Sequence, residues 1–439
     1  MRVSALLLAA AFALMIGLHA RPSAADERPI LFDNVALLTM TDADTPSLIP
    51  DGRLLVRKDR IRALGTAEKV KAPDNARIID GGGATLMPGL AEMHGHLPYS
   101  SWPDERAHDT LFLYLAGGVT TVRGMLGDPV QFTLRDRIDR GDIAGPTLYL
   151  AAPSLNGRTV TSPEQAAKDV HSHSKAGWDL QKIHPGLSVA EYDAIAAASA
   201  EAGLPFGGHV PQPVGVPHAL ESGQISIDHM DGYMAWLNGA DGPIPQARLQ
   251  EAAERTARAG TWIVPTQALF NLFRGGGDPD RLMQRDELAY VDAATLRDWR
   301  EAVRQANLGA RPIIAENRQR LLKAMADAGA NIALGSDAPQ VFSVPGFSIR
   351  HEVAAMKAAG LTNAQILASA TSAAGRYFED KDSFGTLTPG ARADLILVDG
   401  KPQKDIQALF RLKGVMAAGR WLDRATLDRR LEAIAARRQ

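Results

Sequence analysis

The chain runs Ala84-Thr-Leu-Met-Pro-Gly-Leu-Ala91 and then Glu92-Met93-His94-Gly95-His96. Pro88-Gly89 is turn-like, and the residues around it are apolar. If this run enters a β-strand, its side chains alternate between faces with a period of two. His94 and His96 then point the same way, and Gly95 between them carries no side chain. Two imidazoles on one face can hold a metal ion. A bare His-x-His is more often two unrelated surface histidines, so its weight depends on the rest of the chain.

Downstream, short apolar runs alternate with helical segments, the pattern of a parallel α/β fold. Eight strands are expected, at 86–96, 119–123, 147–152, 179–184, 205–210, 224–229, 261–265 and 331–337. Helices are expected between most of them, for example over 163–176, 189–202, 244–259 and 315–328. Eight strand–helix units suggest a (β/α)8 TIM-type barrel. An open doubly wound sheet is the alternative, but no Gly-x-Gly-x-x-Gly opens a helix after the first strand. The long connection from Thr266 to Ala330 either shapes the active-site mouth or forms a surface excursion or oligomer contact.

Barrel enzymes carry their chemistry at the C-terminal strand ends. Those ends supply His94 and His96, then Lys182 and His184, His209, His229 and Asp337. Each one singly is weak; the recurrence at matching positions is the signal. His171-Ser172-His173 lies in a helical segment, where residues two apart diverge, so that pair is assigned to solvent. Arg123, ending the second strand, is either a carboxylate clamp or a buried ion-pair partner, with the second favoured.

The chain resembles the amidohydrolase superfamily of metal-dependent barrel hydrolases. The resemblance rests on Met87-Pro-Gly-Leu before His94-Gly-His96, Gly118-Val-Thr-Thr-Val122, Gly335-Ser-Asp337 and Gly385-Thr-Leu-Thr-Pro-Gly-Ala-Arg-Ala-Asp-Leu395. It is most similar to the branch holding imidazolonepropionase-like and Xaa-Pro dipeptidase-like enzymes. The resemblance implies two divalent metal ions, expected to be Zn²⁺. His94, His96 and Asp337 would hold one, His209 and His229 the other, and Lys182 would bridge them as an N-carboxylated lysine. It implies hydrolysis of an amide-type C–N bond of a small substrate, such as a dipeptide or N-acyl amino acid, by a metal-bridging hydroxide, with Asp337 moving the proton. A buried strand-end lysine agrees with this, because burial lowers its pKa and only the neutral amine reacts with carbon dioxide. Substrate contacts are expected from His184, Tyr99, Tyr233, Arg350 and His351. Alternatives are a mononuclear cyclic-amidine or deaminase-type hydrolase, and a catalytically silent binding protein.

The chain has 439 residues, 22% charged, and a formal net charge of −2. Nothing in that balance favours nucleic acid as a partner. There is no cysteine, which excludes disulfides and thiolate ligands. Residues 1–25 read as a cleavable signal peptide: Arg2, an apolar run from Ala5 to Leu18, then the small residues Ser23 and Ala25. The run is short of the roughly 20 residues of a membrane span. A periplasmic or secreted protein without stable membrane insertion is expected, in which homo-oligomers are possible by analogy. Residues 26–87 and 385–423 carry short β-compatible runs and are expected to pair into one small β-sandwich domain around the barrel of residues 88–384. Residues 424–439 read as a terminal amphipathic helix.

Overall fold

The computed structural model describes residues 28–42 and 47–438. The signal-peptide segment lies outside the described residues. Five strands come from the N-terminal stretch: β1 (Ile30–Leu38), β2 (Leu48–Arg57), β3 (Arg60–Thr66), β4 (Arg77–Asp80) and β5 (Thr85–Pro88). The middle of the chain supplies β6 (Leu90–Gly95), β7 (Val119–Gly124), β8 (Thr147–Leu150), β9 (Gln181–Ile183), β10 (Phe206–Gly208), β11 (Ser226–Asp228) and β12 (Trp262–Val264). The C-terminal part supplies β13 (Leu395–Val398), β14 (Leu412–Ala417) and β15 (Arg420–Asp423).

The two chain ends share one sheet. Its order is β15-β14-β13-β5-β1-β2-β3, with β4 also on β1. The join is the antiparallel pairing of β5 with β13, Met87 opposite Ile396. Phe32, Val35, Leu37, Leu54 and Val56 bury one face against Leu395, Leu397 and Met416. Alternation explains this: Leu54 and Val56 are buried while Arg57 is exposed, as a strand period of two requires. β14 and β15 form a hairpin, because Ala418 and Gly419, both at positive φ, turn the chain back on itself.

The run expected as one strand over 86–96 also divides. β5 belongs to the terminal sheet and β6 to the parallel array, with Gly89 between them. The Gly89 N–H donates to Asp394 O, and the next amide, Leu90, donates to Gly118 O in the parallel layer. A Cβ at Gly89 would sit 2.2 Å from Thr120 Oγ1, so the close approach of the two layers requires glycine here.

The parallel strands form two sheets, β6-β7-β8 and β12-β11-β10-β9. Between the β8 and β9 segments two isolated bridges join Ala151 to Leu180 and Leu155 to Ile183, and Ala152 N donates to Leu180 O at 2.8 Å. Residues 331–337, expected as the eighth strand, form one bridge only, Ile332 to Ile263. That segment touches the first sheet by Met93 N to Leu334 O and Asp337 N to His94 O, both 2.8 Å. Its extended run stops where Asp337 takes φ 63°. Helices cover the parallel strands; Pro163–Ala176 and Val189–Ala202 start at serine caps that accept from the amide three residues on, which satisfies an otherwise unpaired N–H. The terminal helix Arg424–Ala436 buries Leu427, Leu431 and Ile434, and Arg430 and Arg437 reach the buried Asp109.

Candidate metal centre

The C-terminal strand ends converge on one cavity of about 410 Å³, lined by His94, His96, His184, His209, His229 and Asp337 among others. His229 is its middle: its ring centroid lies 4.4 Å from that of His94 and 4.8 Å from that of His209. Asp337 Oδ1 is 2.7 Å from His96 Nε2 and 3.4 Å from His94 Nε2, and its Oδ2 is 3.9 Å from His229 Nε2. His94, His229 and Asp337 each offer a ligand atom within 4.8 Å of the other two, and all three are buried. Imidazole nitrogens with one carboxylate are the donor set of zinc and similar divalent ions.

Local backbone aims these groups. His229, Thr266 and Asp337 have φ of 63°, 43° and 63°, a region that residues other than glycine rarely adopt and that clusters at functional sites. Gly95 lets the strand end close up, since a Cβ there would fall 2.8 Å from Tyr114 Oη.

Three rings are held from behind. His94 Nδ1 lies 2.9 Å from Asp228 Oδ2, His209 Nδ1 3.0 Å from Asp231 Oδ2, and His229 Nδ1 2.8 Å from Thr266 Oγ1. With each Nδ1 engaged, each Nε2 is left for a cation, the usual way a protein orients imidazole ligands. Burial, reinforced by the neighbouring positive groups, holds His94 and His229 well below the ordinary imidazole range, so both are in the neutral, ligating form. Asp228 is itself held by Arg123, which donates to it at 2.8 Å and also reaches Met93 O, Ser226 Oγ and Tyr377 Oη. Arg123 is therefore a buried ion-pair partner. Sequence reasoning misses Asp228, Asp231 and Thr266. The available signal is that both carboxylates flank His229, one position before it and two after.

Lys182 is fully buried, and its Nζ has no hydrogen-bond partner among the described residues. The nearest carboxylate oxygen, Asp228 Oδ2, is 3.9 Å away. Burial pushes the ammonium down to about 8, against the opposing pull of Asp228. Gly208 makes room for its stem: a Cβ there would lie 2.9 Å from Lys182 Cδ. An unpartnered buried amine beside three imidazoles and a carboxylate fits a group that gains its partners only on binding metal.

Of the expected substrate contacts, His184 and Tyr99 line the cavity. Burial drives His184 down to about 3, and Tyr99 Oη sits 3.4 Å from His96 Nδ1. Three others are placed elsewhere. Tyr233 follows Gly232, whose φ of 79° turns the chain, and its hydroxyl meets Thr256 Oγ1 at 2.6 Å. His351 bonds Glu287, and Arg350 lies over Phe347 and Phe410, because the helix Ile349–Ala358 faces them away from the strand ends. His173 is not given over to solvent: its Nδ1 lies 2.7 Å from Gln181 Oε1.

Residues 85–422 match the amidohydrolase family. The chain belongs to the amidohydrolase family. The family is metal-dependent and acts on small molecules, and as a member the chain is a hydrolase of carbon–nitrogen bonds. It is 25% identical to the imidazolonepropionase of Streptomyces coelicolor over 88% of this chain and 96% of that one. It is 36% identical to the imidazolonepropionase of Idiomarina loihiensis over 158 residues, about a third (36%) of either chain. Among solved structures, bottromycin amidohydrolase superposes with a TM-score of 0.72 at 26% identity, over 94% of this chain and 91% of that one. A Xaa-Pro dipeptidase shares the fold with a TM-score of 0.67 at 19% identity, over 90% of this chain and 100% of that one. Among the described residues, no helix is long and apolar enough to cross a membrane.

Proposed function

We propose that this amidohydrolase is an exported, binuclear enzyme that cleaves the amide bond of a dipeptide or N-acyl amino acid. The observation that carries the binuclear reading is Lys182, a fully buried amine with no hydrogen-bond partner among the described residues, 3.9 Å from the carboxylate that holds His94. His94, His96 and Asp337 would hold one Zn²⁺, His209 and His229 the second, and carboxylated Lys182 would join them. Bound there, the ions would polarise the substrate carbonyl and lower the pKa of water to near 7. Asp337 accepts the proton of the attacking water and delivers it to the leaving nitrogen. His184, neutral and with Nδ1 engaged by Ser154 Oγ, presents its Nε2 side to the substrate. Phe270 and Leu269, from the first helix of the long connection, close the cavity on one side.

The contacts from residues 331–337 to β12 and β6 support an eight-stranded barrel over residues 88–384. The shared terminal sheet supports the small sandwich domain of residues 26–87 and 385–423. Export rests on residues 1–25 and places the mature enzyme in the periplasm or outside the cell.

The test is a panel of Xaa-Pro and other dipeptides, N-acyl amino acids and cyclic amides with Zn²⁺-loaded protein. Hydrolysis of at least one linear amide, lost about 10³-fold in Asp337→Asn, is expected. Turnover of cyclic amides alone, or near-normal activity in Asp337→Asn, would contradict the reading. One observation favours a mononuclear second reading: the close trio of His94, His229 and Asp337 suffices for one ion. Metal content per chain separates the two.

A further inference from the structure

A second cavity, of about 590 Å³, adjoins the first. His229 and Phe270 line both, so the two spaces share a wall at the candidate site. Its walls are apolar, with Met230, Met234, Trp236 and Ile314 prominent. Its charged lining is Arg274, Arg318 and Asp231. Asp231 is already spent on His209 Nδ1 and Val210 N. Arg318 is 2% exposed, donates to His229 O and Pro265 O, and keeps an Nε with no partner. Its guanidinium lies 4.2 Å from the Phe270 ring centroid. Arg274 is exposed at the rim, and burial, with a lesser push from Arg274, brings Arg318 down to about 9. The space is thus apolar within and cationic at its edge. Cavities of this size hold drug-sized apolar groups oriented by a few polar ones.

We propose that this side cavity receives the large apolar side chain of an N-acylated amino acid, with Arg274 holding its carboxylate. The proposal rests on the hydrolase reading above and narrows its substrate: the product amine is a large apolar amino acid such as phenylalanine or leucine. An ionised guanidinium binds a carboxylate by charge-assisted hydrogen bonds that a carboxamide cannot match. Apolar contact then discriminates by size, about 10–200-fold per methylene of the substrate.

Two readouts test it. In the zinc-loaded enzyme, kcat/KM for N-acetyl-phenylalanine is expected to exceed that for N-acetyl-glycine by at least about tenfold. Ala235→Trp, at an exposed wall position, should remove that preference by lowering kcat/KM for N-acetyl-phenylalanine at least about tenfold more than that for N-acetyl-glycine. Arg274→Ala should raise KM for N-acetyl-phenylalanine by a larger factor than KM for N-acetyl-phenylalaninamide. Calorimetry with 3-phenylpropanoate, 3-phenylpropanamide and propanoate gives a readout without turnover. The phenyl carboxylate should bind at least about tenfold more tightly than either comparator, and Arg274→Ala should erase the margin over the amide. If no amide is cleaved but this binding pattern holds, the cavity assignment stands and the hydrolase reading fails. If amides are cleaved without apolar preference, or the three probes bind alike, the proposal is overturned.

Discussion

Arg392 and Lys182 are both cations sealed from solvent, and their surroundings are opposite. Arg392 lies where the terminal sheet meets the parallel strands. It donates to Asp394 and Asp382 at 2.7 Å and to Thr121 Oγ1 at 2.8 Å, and it sits over the Phe384 ring. Although burial opposes it, Asp394 and its other partners raise its pKa. Lys182, at the strand ends, has no partner within hydrogen-bond reach, and burial lowers its pKa. A buried charge without a partner is costly and neutralises when it can. Arg392 is therefore matched inside the chain, whereas Lys182 waits for a match from outside it.

The comparison breaks most sharply in stability. Arg392→Met leaves the buried Asp394 without its cation, while Asp382 keeps Arg60, so unfolding free energy should fall by about 3–5 kcal/mol. Lys182→Met removes an unmatched amine, so the metal-free protein should unfold at the same denaturant concentration as wild type or a higher one. Chemical denaturation of both variants after chelation checks this; equal losses would erase the distinction. Next in size is Asp228→Asn. It weakens the hold on His94 Nδ1 and takes the carboxylate from Arg123, so metal affinity should drop about 10–100-fold by competition with a chelator. Unchanged affinity would mean that Asp228 serves Arg123 alone. The smallest effect concerns the wall shared by the two cavities. Glu352 accepts from Gln267 N and Ala268 N at the start of the helix Gln267–Gly275, which carries Phe270. Glu352→Ala should loosen that helix end by about 1 kcal/mol, read as faster amide exchange in residues 267–275 and a modest rise in KM.

The meeting of His94, His96, His209, His229 and Asp337 at one cavity was legible because they recur at the ends of successive strand-like runs, and a strand period of two predicts which side chains share a face. The last strand was legible as a position but not as a strand, since 331–337 holds a single bridge. The turn at Pro88-Gly89 was visible in the sequence; the change of sheet across it was not, because it depends on β13, more than 300 residues away. Asp228 and Asp231 were hidden for a similar reason. A carboxylate near a histidine has no fixed spacing, and its role emerges only when the partner ring arrives from another strand. Tyr233 was misplaced because Gly232 reverses the backbone. Arg350 and His351 were misplaced because their helix presents them to Glu287, Phe347 and Phe410, contacts set by the long connection and by the C-terminal part of the chain.

The central claim is that Lys182 belongs to a metal bridge. It is tested most directly by counting metal ions per chain by elemental analysis, in wild type and Lys182→Ala, after loading with Zn²⁺ and bicarbonate. The account predicts two ions in wild type and one or fewer in the variant. Two ions in both, or a single ion in wild type at every bicarbonate concentration, would contradict it.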